Sequence, residues 1–210
     1  MCCPATAARK LAMLLLLLAP AVGSAAAAPP ATSSSALSSS ELMQMLASVE
    51  SANARFVETR HSALLKSPLV LQGTLAYRRP DRVEKHVQSP YDESITVEGG
   101  RLTLENRTRK QKKTIAVSGA PGLAALIESI RATRAGDLAA LQRYYALQVE
   151  GSREQWTLTL KPLDAQIAGY VSSIALSGSE TRIGRIMIEE ASGDRSVMEI
   201  EERAGTGPFR

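Results

Sequence analysis

Alternating apolar and polar residues, interrupted by turn signals about every ten residues, most constrain the fold of this chain. In LVLQGTLAYR, for example, Leu71, Leu75 and Tyr77 share one face of an extended strand, because successive side chains of a strand point to opposite sides. The turn signals KSP, RRPD, QSPYD and EGG separate such segments. This rhythm predicts a meandering antiparallel sheet rather than parallel βαβ units.

Strand patterns return in the C-terminal half as RYYALQVEG, QWTLTLKP, VSSIALSG, RIGRIMIEE and DRSVMEIEE, for a total of about ten or eleven strands. Two helical intervals accompany them. Ser38 and Glu41 form a capping box before an amphipathic helix predicted over 39–52, and PGLAALIESIRATRAGD carries an apolar stripe. Asp137 is placed to cap a short helix over 138–141. The predicted class is α+β: a large curved antiparallel sheet, or incomplete half β-barrel, covered by a helical lid.

The N-terminal residues predict export. Residues 1–28 combine a basic start, the apolar run LAMLLLLLAPAV and a small-residue tail, which is the pattern of a secretory signal peptide. The apolar run is shorter than the roughly 20 residues that span a bilayer. We expect a flexible Pro/Ser/Ala linker over 29–38, one domain over 39–203, a tail over 204–210, and a periplasmic location.

Residues for catalysis or metal binding are scarce. Both cysteines precede the apolar run, and His61 and His86 do not make a zinc site on their own. The sequence contains no HExxH, GxSxG or Walker motif. We therefore expect no enzyme activity, no metal and no cofactor. A hydrolase or acyltransferase using Ser177, His86 or Asp194 is the weakest alternative.

Charge is distributed rather than concentrated. The formal charge is +4, and basic and acidic residues are interspersed, which argues against nucleic-acid binding. The run RTRKQKK, residues 107–113, is the local exception. It fits an anionic lipid surface or an acidic partner, but a charged hairpin that protects a sheet edge is the favoured interpretation.

Three stretches carry a family resemblance: ARFVETR, GTLAYRRPDRVEKHVQSPYDESITVEGGRLTL and PGLAALIESIRATRAGDLAALQRYY. Together they cover most of residues 40–202 and resemble the periplasmic outer-membrane lipoprotein carriers of the LolA type. The long helical insertion and GDRSVMEIEE are typical of a divergent branch. The resemblance implies an incomplete antiparallel barrel with a helical lid over an apolar cavity that accepts acyl chains.

In that family, the arginine before this proline holds the lid closed by hydrogen bonds to lid backbone, so the resemblance implies lid gating by Arg79. A guanidinium has five donors for such carbonyls, whereas the alternative is an exposed turn arginine. The acyl-chain cavity is expected from inward-facing apolar residues, each of which could equally be plain core: Phe56, Leu71, Leu75, Tyr77, Val83, Ile95, Leu102, Trp156, Leu158, Ile188, Leu46, Leu126 and Ile130.

The function implied is a periplasmic carrier that moves a lipoprotein or lipid from the inner to the outer membrane. Its partners would be the acylated cargo, an inner-membrane exporter and an outer-membrane acceptor, with no nucleic acid, and the chain is expected to be a monomer. Val83 stands where the classical carrier has an aromatic residue, so the cargo could differ. The alternative is a non-carrying periplasmic interaction module that serves a membrane exporter.

Overall fold

The structure, a computed structural model, describes residues 36–116 and 131–202. Within these ranges a single antiparallel sheet of eleven strands dominates, which confirms the predicted α+β class. The strands are β1 (Ser51–His61), β2 (Leu69–Arg78), β3 (Arg82–Ser89), β4 (Glu93–Glu98), β5 (Arg101–Asn106), β6 (Gln111–Ala116), β7 (Tyr145–Gly151), β8 (Trp156–Pro162), β9 (Val171–Ser179), β10 (Arg182–Glu190) and β11 (Arg195–Glu202). The helices are α1 (Ser39–Ala47), α2 (Leu138–Tyr144) and α3 (Ala165–Ala168), and residues 131–135 are also helical.

The chain enters this sheet at its centre. Strand order is β6-β5-β4-β3-β2-β1-β11-β10-β9-β8-β7, so hairpins lead outward from β1 to one edge. The chain then resumes at the opposite edge with β7 and returns by hairpins to β11. There β11 pairs with β1, with Phe56 opposite Ile200. The first and last strands therefore join the two halves into one sheet.

The sheet is strongly curved. β5 and β9 lie seven positions apart in the strand order. In a flat sheet that separation would be about 34 Å, because neighbouring strands lie roughly 4.8 Å apart. Residues of both strands nevertheless line one cavity, so the sheet curls around its inner face. Large antiparallel sheets curl in this way because each strand pair adds to the twist.

The helices cover the β7–β10 part of the inner face. Leu42, Met43 and Leu46 of α1 are buried in one cluster with Trp156, Leu158 and other residues of β8 to β10. Ala132 and Leu141 of the following helical segments join the same cluster. A smaller cluster of Phe56, Leu71, Val87 and Met198 lies at the centre of the sheet. Within the described ranges, no helix has the length and apolar character to cross a membrane.

The first helix begins as predicted and ends early. The Ser38 hydroxyl accepts a hydrogen bond from the backbone N–H of Glu41 at 3.2 Å, and the Glu41 carboxylate accepts one from the Ser38 N–H at 3.0 Å, which confirms the capping box. The helix was predicted to reach residue 52 but ends at Ala47. The prediction was wrong there because Ser51 and Ala52 pair with β2 in the sheet.

Other boundaries also differ from the prediction. Leu37 is buried and its N–H donates to the carbonyl of Gly151 at 3.1 Å, so the chain packs before the expected end of the linker at residue 38. Asp137 caps α2 as predicted, through the Ala140 N–H at 2.9 Å, but the helix extends to Tyr144. The short α3, capped by Asp164, was missed. Leu126 and Ile130 lie outside the described residues.

Gly73 shows how closely β2 and β3 pack, and it yields a stability prediction. A Cβ at this position would lie 1.9 Å from the backbone oxygen of His86 and 3.0 Å from the Phe56 ring. Gly73→Ala should therefore lower the free energy of unfolding by about 3 kcal/mol, because a backbone atom must move to accept the methyl group. Urea unfolding followed by circular dichroism measures the change.

The matched control is Gly184→Ala in β10, where the nearest atom to a new Cβ is 4.0 Å away. We expect its free energy of unfolding to stay within about 0.5 kcal/mol of the wild type. Equal effects of the two substitutions would contradict the close approach at Gly73.

Candidate functional site

A cavity of about 490 Å³ lies on the inner face of the sheet. Its wall is mainly apolar and comes from β1 to β5 on one side and β9 to β11 on the other. The volume falls within the range of small-molecule sites, roughly 300–1,000 Å³. Six of the residues predicted for an acyl-chain cavity lie on this wall: Leu75, Tyr77, Val83, Ile95, Leu102 and Ile188.

Five predicted residues lie elsewhere. Phe56 and Leu71 pack in the central core cluster, and Leu46, Trp156 and Leu158 pack in the larger cluster under the helices. All are at most 2% exposed, so no room remains beside them. Their strands face inward as predicted, but neighbouring side chains fill the space in front of them.

Several wall residues were missed although the strand alternation could have indicated them. Ala54, Val97 and Leu104 lie on the inner faces of their strands, in register with predicted wall residues. Ile183, Ile186, Met198 and Ile200 do the same from β10 and β11. A search for inward-facing apolar residues could not find the polar residues of the wall. These are Glu58, Arg60, Lys85, Arg134, Tyr170, Glu190 and Ser196.

Arg79 connects the β2–β3 turn to the first helix. Its Nη1 donates a hydrogen bond to the carbonyl of Ala47, the last residue of α1, at 2.6 Å. Its backbone N–H donates to the carbonyl of Glu50 at 2.9 Å. A cation is well placed at a helix C-terminus, where carbonyls carry partial negative charge. The preceding Arg78 differs, since its side chain is 68% exposed and lies 3.7 Å from a Glu98 oxygen.

A charged cluster is built into the cavity wall around Glu58, which is 3% exposed. Glu58 Oε1 accepts hydrogen bonds from Arg60 Nε at 2.7 Å and from the Ser196 hydroxyl at 2.6 Å. Its Oε2 accepts from Lys85 Nζ. The same ammonium lies 5.0 Å from the centre of the Phe56 ring, within cation–π range. These four residues, Glu58, Arg60, Lys85 and Ser196, are called the Glu58 cluster below.

The ionisation of the Glu58 cluster is set by burial and by its partners. Burial raises the pKa of Glu58, but the Lys85 charge and the hydrogen bonds from Arg60, Lys85 and Ser196 outweigh it, so the pKa lies below its usual value. Burial lowers the pKa of Lys85, and attraction by Glu58 offsets only part of that. Three donors converge on the Glu58 carboxylate, so the cluster favours its ionised form.

The comparisons with known proteins decide the family. The family model described as "Outer membrane lipoprotein carrier protein LolA-like" matches residues 31–201. The chain belongs to this LolA-like family. No curated protein matches the sequence at a significant level. The description of the family is that of lipoprotein carrier-like proteins of the outer membrane.

Several solved structures are similar to this chain at low sequence identity. An uncharacterized conserved protein from Thermus thermophilus is 10% identical over 82% of this chain and 90% of that chain, with a TM-score of 0.51. A LolA superfamily protein from Nitrosomonas europaea is 13% identical over 82% and 96%, with a TM-score of 0.46. MucB of Pseudomonas aeruginosa, in complex with MucA, is 15% identical over 80% and 58%, with a TM-score of 0.45.

Polar groups also gather at the other end of this LolA-like cavity. Arg134, at most 10% exposed, donates to the carbonyl of Thr181 at 3.3 Å and pairs with Glu202. It thereby ties the helical segment 131–135 to β11. The Tyr77 hydroxyl is buried there and has no hydrogen-bond partner among residues 36–116 and 131–202. Burial raises the pKa of Tyr77, although the nearby arginines oppose the change.

No cluster of three or more His, Cys, Asp or Glu residues suitable for a metal occurs among residues 36–116 and 131–202. His86 lies 2.7 Å from Asp92, a contact that links β3 to the turn before β4. The basic run at 107–113 forms the β5–β6 turn and the start of the edge strand β6, as expected for a charged sheet edge.

Glu58 gives a pH-dependent stability prediction. Since its folded-state pKa is lowered, ionised Glu58 stabilises the protein above its unfolded pKa, about 4.3, and this contribution is lost as the pH falls through the folded value. Glu58→Gln should reduce the free energy of unfolding by about 3 kcal/mol at pH 7, because it leaves Lys85 buried without a carboxylate. The difference from wild type should shrink below about pH 4.

Urea unfolding at both pH values measures this difference. Glu199→Gln is the control, since Glu199 pairs with Arg185 at 2.9 Å on an exposed surface and should contribute less than about 1 kcal/mol. A Glu58→Gln protein as stable as the control at pH 7 would contradict the assignment of an ionised, buried carboxylate.

Proposed function

We propose that the protein is a periplasmic carrier that binds the acyl chains of a lipoprotein or lipid and moves this cargo from the inner to the outer membrane. The observation that carries the proposal is the apolar cavity of about 490 Å³ on the concave face of a LolA-like sheet. Core residues fill the rest of that face, so the cavity is a distinct space rather than a packing fault.

Acyl chains supply enough free energy for binding. Burial of each methylene contributes about 0.8 kcal/mol, so about ten methylenes contribute roughly 8 kcal/mol before the cost of ordering the chain. That gross figure corresponds to a dissociation constant of about 1 μM, and the cost of ordering the chain makes the net affinity weaker. The same number makes release into water unfavourable. A carrier of this kind therefore needs an acceptor at the outer membrane that offers apolar surface.

Arg79 is the proposed lid-gating residue. Its hydrogen bond to Ala47 joins the turn after β2 to the end of α1, and α1 packs over the β7–β10 part of the inner face. β2 itself contributes Leu75 and Tyr77 to the cavity wall. Movement of α1 relative to β2 must break this bond. The proposed partners are an inner-membrane exporter that opens the lid for loading and an outer-membrane acceptor that opens it for release.

A first prediction tests occupancy of the cavity. Ile95 is on the wall and 39% exposed, so Ile95→Trp should extend into the cavity without overfilling the core. Displacing two methylenes of bound ligand should weaken binding about tenfold. We would measure the dissociation constant of the neutral dye Nile red by fluorescence titration.

Val70→Trp is the matched control for Ile95→Trp. Val70 has a similar exposure, 46%, but occupies the outer face of β2. Its dissociation constant for the dye should equal that of the wild type. Tight dye binding that Ile95→Trp leaves unchanged would move the binding site away from this cavity.

A second prediction tests the gate. Arg79→Leu removes the hydrogen bond to Ala47, so the lid should open more readily and release of acylated material should change. We would purify the protein from a bacterial periplasm, record native mass spectra and analyse extracted lipids. The Arg79→Leu protein should differ from the wild type at least about threefold in retained cargo, as expected for a hydrogen bond of about 1 kcal/mol.

Arg78→Leu is the control for the gate, because the Arg78 side chain is exposed and its ion pair within residues 36–116 and 131–202 is with Glu98. It should retain as much cargo as the wild type. If wild type and variants carry no lipid and take up none, the result favours a non-carrying interaction module, for which β6, the edge strand of the sheet within residues 36–116 and 131–202, offers a docking edge.

A further inference from the structure

The Glu58 cluster is the part of the cavity that binding of acyl chains alone does not require. All four of its members line the cavity, where they lie among apolar side chains of the same wall. Burying charges costs free energy, and apolar residues of similar volume are often as stable or more stable. A wall meant only for hydrocarbon would be better without them.

The cluster carries an excess of positive charge. Glu58 contributes one negative charge, whereas Lys85 and Arg60 contribute one positive charge each. Glu58 engages the Nε of Arg60 and a single donor of Lys85. Within residues 36–116 and 131–202, neither cation makes another hydrogen bond, so both Nη groups of Arg60 and the other donors of Lys85 remain for a ligand.

The orientation of these donors fits the apolar wall. Lys85 pairs with Leu75 on one side and Ile95 on the other, and all three line the cavity. Two residues along β3, Val83 continues the wall, with Tyr77 and Val97 beside it. A chain whose head lies at Lys85 can thus extend over a continuous apolar surface.

The other charged residues of the wall are less suited to bind an anion than Lys85 and Arg60. Arg134 is occupied by Glu202 and the Thr181 carbonyl. Glu190 lies near the end of β10, beyond Ile188, the residue that pairs with Ser196 of β11. A negative group is therefore favoured between Lys85 and Arg60 and disfavoured farther toward Glu190.

We propose that the cargo is an acidic amphiphile, whose carboxylate or phosphate accepts hydrogen bonds from Lys85 and Arg60 while its chain lies along the wall toward Val83 and Tyr77. This inference rests on the proposed carrier function and narrows its cargo. Charge-assisted hydrogen bonds are roughly twice as strong as those between neutral groups. Glu58 holds both cations in place, and their excess charge is neutralised when the ligand binds.

The test compares ligands of equal chain length that differ only in the head. Lauric acid, dodecyl phosphate, dodecanol and methyl laurate would each displace Nile red from the full-length protein. Lauric acid or dodecyl phosphate should bind about tenfold or more tightly than the two neutral compounds, as expected for hydrogen bonds to a charged group. Whichever of these two acids binds more tightly identifies the carboxylate or the phosphate as the preferred head group.

Two variants and one control locate the effect. Arg60→Gln and Lys85→Met should each reduce the preference for acids to about threefold or less, with little change for dodecanol. Arg55→Gln is the matched control, since Arg55 is an exposed arginine of the same strand on the opposite face. It should keep the full preference. If Lys85→Met does not fold, the result for Arg60→Gln tests the assignment alone. The Arg60 side chain is 46% exposed, and its removal leaves the ion pair between Lys85 and Glu58 intact.

The outcomes separate this inference from the proposed function. Equal displacement by all four compounds overturns the acidic cargo and leaves a carrier for neutral acyl chains. A preference for acids that Arg55→Gln also abolishes overturns the assignment to the cluster. Failure of every compound, with no binding of Nile red, overturns both the carrier function and the inference.

Discussion

A single curved sheet must bury its own apolar face, and every other feature of this protein follows from that constraint. A sandwich covers one sheet with another, whereas here eleven strands form one sheet and helices cover the β7–β10 part of its inner face. Curvature brings β5 toward β9 and encloses further apolar surface. The cavity is the space on the inner face that side chains do not fill. Core residues and cavity-lining residues therefore occupy the same kind of inward position.

This shared position explains what the sequence could predict. Period-two alternation and turn signals predicted an antiparallel sheet of the right size, and the capping box placed the start of α1, because these signals are local. The end of α1 was misplaced because sheet pairing overrode the local helical pattern, whereas the start of β7 was misplaced because α2 extends to Tyr144. The alternation identified the inner face of the sheet but did not separate its core residues from its cavity-lining residues. Phe56 and Leu75 occupy equivalent inward positions in the sequence pattern, yet Phe56 belongs to the core and Leu75 lines the cavity.

The Glu58 cluster is the clearest case of information that a pattern of apolar residues does not contain. Glu58 stands in the quoted stretch ARFVETR, between Val57 and Thr59, and nothing local pairs it with Lys85 or Ser196. The sheet brings these residues together from β1, β3 and β11. Buried charges survive only with such partners, so the cluster also depends on the register of all three strands.

The pairing of β1 with β11 also governs when the fold can be completed. Ala54 near the start of the domain pairs with Glu202 near its end, so the central seam of the sheet joins residues that lie well over a hundred positions apart in the sequence. Loop closure over such distances is slow, and its entropy must be paid before the contacts form. A chain delivered N-terminus first, from a ribosome or through a membrane pore, cannot close this seam until its last strand has emerged. The topology thus delays assembly of the cavity until the whole domain is in its final compartment.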